Sequence, residues 1–318
     1  MGKIRIGTRE SQLATWQATQ VKELLARFGF ESELIFIKSE GDIDLITPLY
    51  EMGVKGIFTR SLDAALLNHK IDVAVHSMKD VPTQLPAGIA QVAVLQRGPA
   101  SDLLVFKNEE AQIKYASLTS HDTGFIVATS SIRRKAQWLN KFPEHRIYNL
   151  RGNVNTRLKK LKEENWDAAI FAQAGLERIN LRPPNSIVIE WMLPAPAQGA
   201  IVVAAREGDH FTFDACQHFN DRSTELCTKI ERDFLRELLG GCSTPISALA
   251  RINPPLIEGG RSQVYFNGNI LSLDGAEKIE IEKSVGIEDA VDLGRLAALE
   301  ILENGGRKLV ESIHDGTE

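Results

Sequence analysis

Short β-rich apolar runs alternate with segments of helical period from the N-terminus to about residue 205, and this alternation constrains the fold more than any other feature. A chain that returns from each strand through a helix builds βαβ units, whose parallel strands need helices on both faces. Ile4 and Ile6 mark a first strand, Leu34 to Ile37 a second and Val73 to Val75 a third. Between them Leu13, Trp16, Val21, Leu24, Leu25 and Phe28 share one helical stripe that Gly29 stops, and Phe58, Leu62, Ala65 and Leu66 share another. A second unit runs through a strand at Ile126 to Ala128, a helix from Ser131 to Asn140, a strand at Ile147 to Leu150, a helix from Thr156 to Glu164 and a strand at Ala168 to Phe171. Both units open with a strand followed by hydroxyl and basic residues that lead into a helix: Thr8, Arg9, Glu10 and Ser11 in one, Thr129 to Arg134 in the other. The pattern predicts two similar lobes facing each other across a cleft.

After a strand at Ile201 to Ala205 the sequence changes character. Leu226, Ile230, Phe234 and Leu238 fall four apart on a helix closed by Gly240 and Gly241, strands follow near Val264 to Ile270 and Ile279 to Val285, and a last helix ends at Gly305 and Gly306. This is a separate α+β domain. The polar, glycine-dotted stretch from Ser39 to Gly56 lacks periodicity and is long for a compact domain, so it is expected to be a mobile loop or lid.

With 37 Lys and Arg against 42 Asp and Glu in 318 residues, the net charge is -5. A general nucleic-acid binder would carry a basic excess to displace counterions, so that class is disfavoured. Met1 to Gly7 carry Lys3 and Arg5 with no apolar run behind them, so neither a signal peptide nor a membrane span is expected, and the cytosol is the expected compartment. Cys216, Cys227 and Cys242 are too few for a disulfide framework and lack metal-ligand spacing.

The cations nonetheless gather where strands hand over to helices. A helix N-terminus offers unpaired N–H groups and the positive end of a dipole, so Thr8, Arg9, Ser11, Thr129, Ser130, Ser131, Arg133 and Arg134 can bind carboxylates or phosphates. The bland reading, ordinary N-caps and solvated arginines, is weakened because the arrangement occurs twice. Arg151, Gly152 and Arg157 form a third such turn; Arg157 in a first helical turn is unfavourable unless an anion compensates. Arg178 can join the same pocket, although taken singly a surface charge is the commoner reading. His76, Lys79 and Asp80 follow the third strand at its carboxyl end, where open α/β sheets place ligands. Asp80 can act as a general acid or base or stabilise a cation, and Lys79 can neutralise a substrate anion, with a plain turn closed by Pro82 as the equal alternative. Cys242 stands in a glycine turn after a helix, whose C-terminal end raises rather than lowers a thiol pKa. The sequence contains no GxxxxGK[ST], GxGxxG after a strand, HExxH or GxSxG, so nucleotide hydrolysis, dinucleotide redox chemistry, zinc proteolysis and serine hydrolysis have no motif support.

In order along nearly the whole chain stand Arg5-Ile-Gly-Thr-Arg-Glu-Ser11, Gly53-Val-Lys-Gly-Ile-Phe58, His76-Ser-Met-Lys-Asp-Val-Pro82, Ala128-Thr-Ser-Ser-Ile-Arg-Arg134, Leu150-Arg-Gly-Asn-Val-Asn-Thr-Arg157, Ala174-Gly-Leu-Glu-Arg178, Pro194-Ala-Pro-Ala-Gln-Gly-Ala200 and Gly240-Gly-Cys-Ser-Thr-Pro-Ile246. Together they resemble the porphobilinogen deaminase family. The resemblance implies an α/β fold of two periplasmic-binding-protein-like lobes with mixed, mostly parallel sheets, plus a smaller C-terminal α+β domain: residues 1–95 with 198–214, then 96–197, then 215–318. It implies a transferase that joins four porphobilinogen molecules head to tail with release of ammonia into hydroxymethylbilane. That product grows on a dipyrromethane cofactor held through a thioether to Cys242, whose bond to an electrophilic methylene-pyrrole needs no depressed thiol pKa.

By the same resemblance Asp80 is the catalytic carboxylate, bonding pyrrole N–H groups and stabilising the cationic azafulvene. Arg9, Ser11, Lys79, Thr129, Ser130, Arg133, Arg134, Arg151, Arg157 and Arg178 are the implied partners of the pyrrole acetates and propionates, at about 2 kcal/mol per charge-assisted bond. Lys55 belongs to the implied lid. A monomer is implied, with no metal, nucleic-acid or membrane partner. Glu51 stands where some members have lysine, and Asn155 and Ala197 replace glycines. The alternative, a non-catalytic two-lobed binder of organic anions, would need neither the third domain nor Cys242.

Overall fold

The computed structural model describes residues 2–38, 59–119, 122–238, 244–254 and 261–315. Lys55 with the expected lid, and Cys242 with its flanking glycines, lie outside the described residues.

Five strands make the first sheet, in the order β2-β1-β3-β10-β4: β1 (Ile4–Thr8), β2 (Ser32–Phe36), β3 (Val73–Ser77), β4 (Ile89–Val94) and β10 (Ile201–Arg206). β1 runs parallel to β2 and β3, whereas β10 runs antiparallel to β3 and β4. Alternate residues of β3 face opposite ways. Val73 and Val75 pack under helix α1 (Gln12–Arg27) with Val21 and Leu25, while Ala74 packs with Leu62 and Leu66 of α2 (Arg60–Leu67). Ser11 caps α1 by accepting from the Ala14 N–H at 3.4 Å. Phe28 does not complete the expected apolar stripe: it forms the helix C-cap and is 46% exposed, because the turn at Gly29 carries it off the buried face.

The second sheet repeats the first strand for strand, in the order β7-β6-β8-β5-β9: β5 (Asp102–Phe106), β6 (Ile126–Ala128), β7 (Arg146–Tyr148), β8 (Ala168–Ala172) and β9 (Ser186–Val188). Here β6 is parallel to β7 and β8, and β5 is antiparallel to β8 and β9. In both sheets, then, four strands run one way and a single reversed strand lies between two of them. The reversed strand is the last to be added in the first sheet and the first in the second, so the chain crosses between them twice, through residues 95–101 and 189–200. Helices α3 (Glu109–Ala116), α4 (Ile132–Lys141), α5 (Val154–Glu163) and α6 (Gln173–Glu177) belong to this second unit.

α7 (His210–Gln217) packs on the first sheet. α8 (Arg222–Glu237) opens the last unit, a three-stranded antiparallel sheet of β11 (Ile246–Asn253), β12 (Gln263–Leu271) and β13 (Lys278–Gly286). Its core joins Ile230 and Phe234 of α8 to Ala248, Phe266 and Ile270; burying side chains of this size contributes about 1.5–3 kcal/mol each. One expectation is corrected at the C-terminus. Gly305, at φ +101°, kinks the chain after α9 (Leu293–Ile301), and a further helix, α10 (Arg307–Asp315), resumes because Leu309, Val310 and Ile313 still have core to cover.

Candidate active site

The carboxyl ends of β1 and β3 deliver Thr8, Arg9 and the 3-10 turn Met78–Asp80, and those of β6, β7 and β8 deliver Thr129–Ser131, Leu150–Asn153 and Gln173. These are the sheet edges expected to carry ligands, and the two edges meet. Lys79 donates to Gln198 Oε1 at 3.2 Å, and Gln198 Nε2 donates to Asp102 Oδ1 at 2.9 Å and to the Ala100 carbonyl at 2.6 Å. Asn155 Nδ2 reaches Gln12 Oε1 at 3.0 Å, and the Arg178 guanidinium lies 5.7 Å from the Trp16 ring centre while donating to the Gly199 carbonyl at 2.6 Å.

Asp102 and Gln198, which the sequence reading does not single out, organise the floor. Asp102 is fully buried and takes Arg133 Nη2 on Oδ2 at 2.7 Å and Arg134 Nη2 on Oδ1 at 2.8 Å. Burial alone would raise its pKa, but the two guanidinium charges outweigh that and hold the carboxyl far below its usual range. The remaining Nη groups bond to backbone carbonyls, Arg133 to Leu193 at 2.7 Å and Arg134 to Ile170 at 3.0 Å. Neither arginine is the solvated helix-end cation that the bland reading supposes. Each is a buried structural partner of Asp102 whose Nε has no acceptor. An acid opening an apolar run at Asp102-Leu-Leu-Val-Phe106 was the available signal.

The other candidate residues divide by what already holds them. Ser130 donates to the Leu150 carbonyl at 2.8 Å, and Thr129 Oγ1, buried, accepts from the Ser131 N–H at 3.2 Å. Arg157 turns back to donate from Nε to the Gly152 carbonyl at 2.7 Å, across a turn that Gly152 makes at φ +111°. Arg151 is buried. His76 is buried and its pKa is lowered to about 3, by burial first and then by the charge of Arg9, so it is a neutral structural histidine.

Charge is the distinctive property of this floor. Lys79 is lowered to about 8, by burial and then by Arg134, with Asp80 and Asp102 pulling the other way. Arg157 is lowered to about 10 by burial, Arg134 and Arg151, against Asp80. Burial lowers Arg178 to about 10. Among the described residues, Asp80 and Asp102 are the carboxylates acting on Lys79, Arg133 and Arg157. Burial and neighbouring cations push these groups down, and an anionic ligand would oppose that shift. No group of His, Cys, Asp and Glu that could hold a metal ion occurs among the described residues.

The family model described as porphobilinogen deaminase, dipyromethane cofactor binding domain, matches residues 4–214, the two five-stranded units entire. This chain belongs to the porphobilinogen deaminase family. The C-terminal domain model of the same family matches residues 225–303. Porphobilinogen deaminases of Maridesulfovibrio salexigens (38% identical, covering 99% of each chain), Pelobacter propionicus (39%, covering 98% of this chain and 97% of the relative) and Francisella tularensis subsp. novicida (39%, covering 98% and 100%) are full-length relatives. An amino-acid ABC transporter extracellular-binding protein of Bacillus subtilis aligns at 13% identity over 69% of this chain and 90% of its own, with a TM-score of 0.41; the strand orders above, not that likeness, define the fold.

As a porphobilinogen deaminase the chain is a transferase of tetrapyrrole biosynthesis that condenses porphobilinogen on a dipyrromethane cofactor, and the non-catalytic anion binder is set aside. The residues present fit that cofactor. The buried Arg133 and Arg134 Nε donors without acceptors, beside cations whose pKa values are pushed down, match a ligand whose rings each carry carboxylates. No helix among the described residues is long and apolar enough to cross a membrane.

Proposed function

We propose that Asp80 is the catalytic carboxylate of this condensation, Cys242 the thioether attachment point of the dipyrromethane, and Lys55 part of a lid. The observation that carries this reading is the position of Asp80. It lies half-buried at the carboxyl end of β3, where its charge acts on Lys79 and on Arg157 of the opposite unit. A carboxylate there can accept pyrrole N–H hydrogen bonds, stabilise positive charge formed as ammonia leaves, and take the proton that coupling releases. When bound, the dipyrromethane supplies the pyrrole carbon on which the chain grows.

The protein's own groups orient the carboxylates. Arg9, Ser11, Lys79, Thr129, Ser130, Arg151, Arg157 and Arg178 are proposed to hold the acetates and propionates of substrate and growing chain. Arg133 and Arg134, already anchored on Asp102, would present fixed donors to the permanent ligand, so they need no reorganisation when it binds. We divide the chain into domains at 1–95 with 198–214, 96–197 and 215–318, and take it to act as a cytoplasmic monomer without nucleic acid.

Asp80→Asn tests the central assignment. It is expected to abolish turnover while porphobilinogen still binds, read by isothermal titration. Turnover close to that of the parent would remove Asp80 from the mechanism.

A further inference from the structure

Arg232 belongs to the last unit, on α8, yet its guanidinium lies against the turn that carries Asp80. Nη1 donates to the Val81 carbonyl at 2.9 Å and to the Met78 carbonyl at 3.4 Å, and Nη2 donates to the Pro82 carbonyl at 2.6 Å. The turn has little of its own to hold it. It is one 3-10 turn, Met78–Asp80, with no side-chain cap from Ser77; Val81 returns one N–H to the Met78 carbonyl at 3.2 Å, and Pro82 has no N–H to give. On its other side it is fixed by the Met78 N–H, which donates to the Ala200 carbonyl at 3.0 Å beside β10.

We propose that Arg232 is a positioning residue for catalysis: its planar fork gathers the carbonyls of Met78, Val81 and Pro82 and so sets where the Asp80 carboxylate stands relative to substrate. Lysine could not do the same, because a single ammonium presents no rigid planar fork to carbonyls arranged along a turn. The preceding residue, Glu231, is fully buried and accepts from Arg97 Nη1 at 2.6 Å, from the Ala197 N–H at 2.6 Å and from the Ala250 N–H at 2.8 Å. Adjacent residues of α8 therefore bond the Asp80 turn and both interlobe crossings.

This inference rests on Asp80 being the catalytic carboxylate, and the experiment separates the two. The holoenzymes of Arg232→Ala, Arg232→Lys and Asp80→Asn are compared by steady-state kinetics and thermal melting. Misplacing a catalytic group by about 1 Å can cost about a hundredfold. Arg232→Ala is expected to lose about tenfold to a hundredfold in kcat with KM for porphobilinogen changed less than about threefold, and millimolar guanidinium in the assay should restore part of the loss. Arg232→Lys should lose kcat without a comparable fall in melting temperature. Parent-like kcat in Arg232→Ala beside an inactive Asp80→Asn would overturn the inference alone. So would a kcat loss that tracks melting temperature and ignores guanidinium. Turnover in Asp80→Asn would instead overturn the reading on which it rests.

Discussion

Gln198 donates from Nε2 to Asp102 at 2.9 Å and accepts Lys79 on its other amide atom at 3.2 Å, so one buried amide joins the turn after β3 to the first residue of β5. Arg97 grips the same segment from behind, donating from Nε to the Gln198 carbonyl at 2.9 Å. The two crossings between the sheets are thereby tied beside Asp102, which also anchors Arg133 and Arg134.

Asp102→Asn removes the charge that these buried arginines face. Breaking a buried ionic network by neutralising one partner costs about 3–5 kcal/mol, because the guanidinium groups left behind are uncompensated. A lower urea midpoint with an unchanged slope is the expected result. The pH dependence has a definite sign. Asp102 has a depressed folded pKa, so its contribution is present above the unfolded carboxylate range near 4 and is lost as pH falls towards the folded value. The variant should lose that part of the acid sensitivity, measured by melting temperature from neutral pH downward.

Lys79 is also depressed, so its effect on stability has the same sign at a higher pH. Its folded value of about 8 lies below its unfolded 10.5, so stability from this group rises as pH passes between the two, while its ability to pair with substrate carboxylates falls. A decline in kcat/KM for porphobilinogen above about pH 8 is expected. Lys79→Arg, whose guanidinium stays charged, should flatten it. An identical alkaline limb in parent and variant would assign the titration to another group.

How far the sequence reveals this arrangement differs by element. Strands β1, β3, β6, β8 and β10 carry largely buried apolar runs and are legible as such, while at Ser11 the structure shows the ordinary N-cap that the bland reading supposed. β5 carries an apolar run, but its place and direction in the sheet are not legible. Its partners are β8 and β9, far along the chain, and nothing local announces a reversed strand. The ends of the cationic turns are readable because Ser, Thr and Arg at strand-to-helix junctions have a local physical meaning. What the arginines bond to is not, since Asp102 lies 31 and 32 residues from Arg133 and Arg134. Ala197, noted in the sequence as replacing a glycine, proves to sit at φ +61°, a left-handed conformation in which glycine carries no penalty. The roles expected of Lys55 and Cys242 fall outside the described residues and stand on the resemblance.

The most direct measurement of the whole account is the intact mass of the protein purified from a cell replete in porphobilinogen, taken beside a Cys242→Ser variant. The account predicts a parent heavier than its sequence by two pyrrole units, a colour reaction with an aldehyde reagent for pyrroles, and neither property in the variant. A parent at its unmodified sequence mass, or a variant carrying the same added mass, would contradict it.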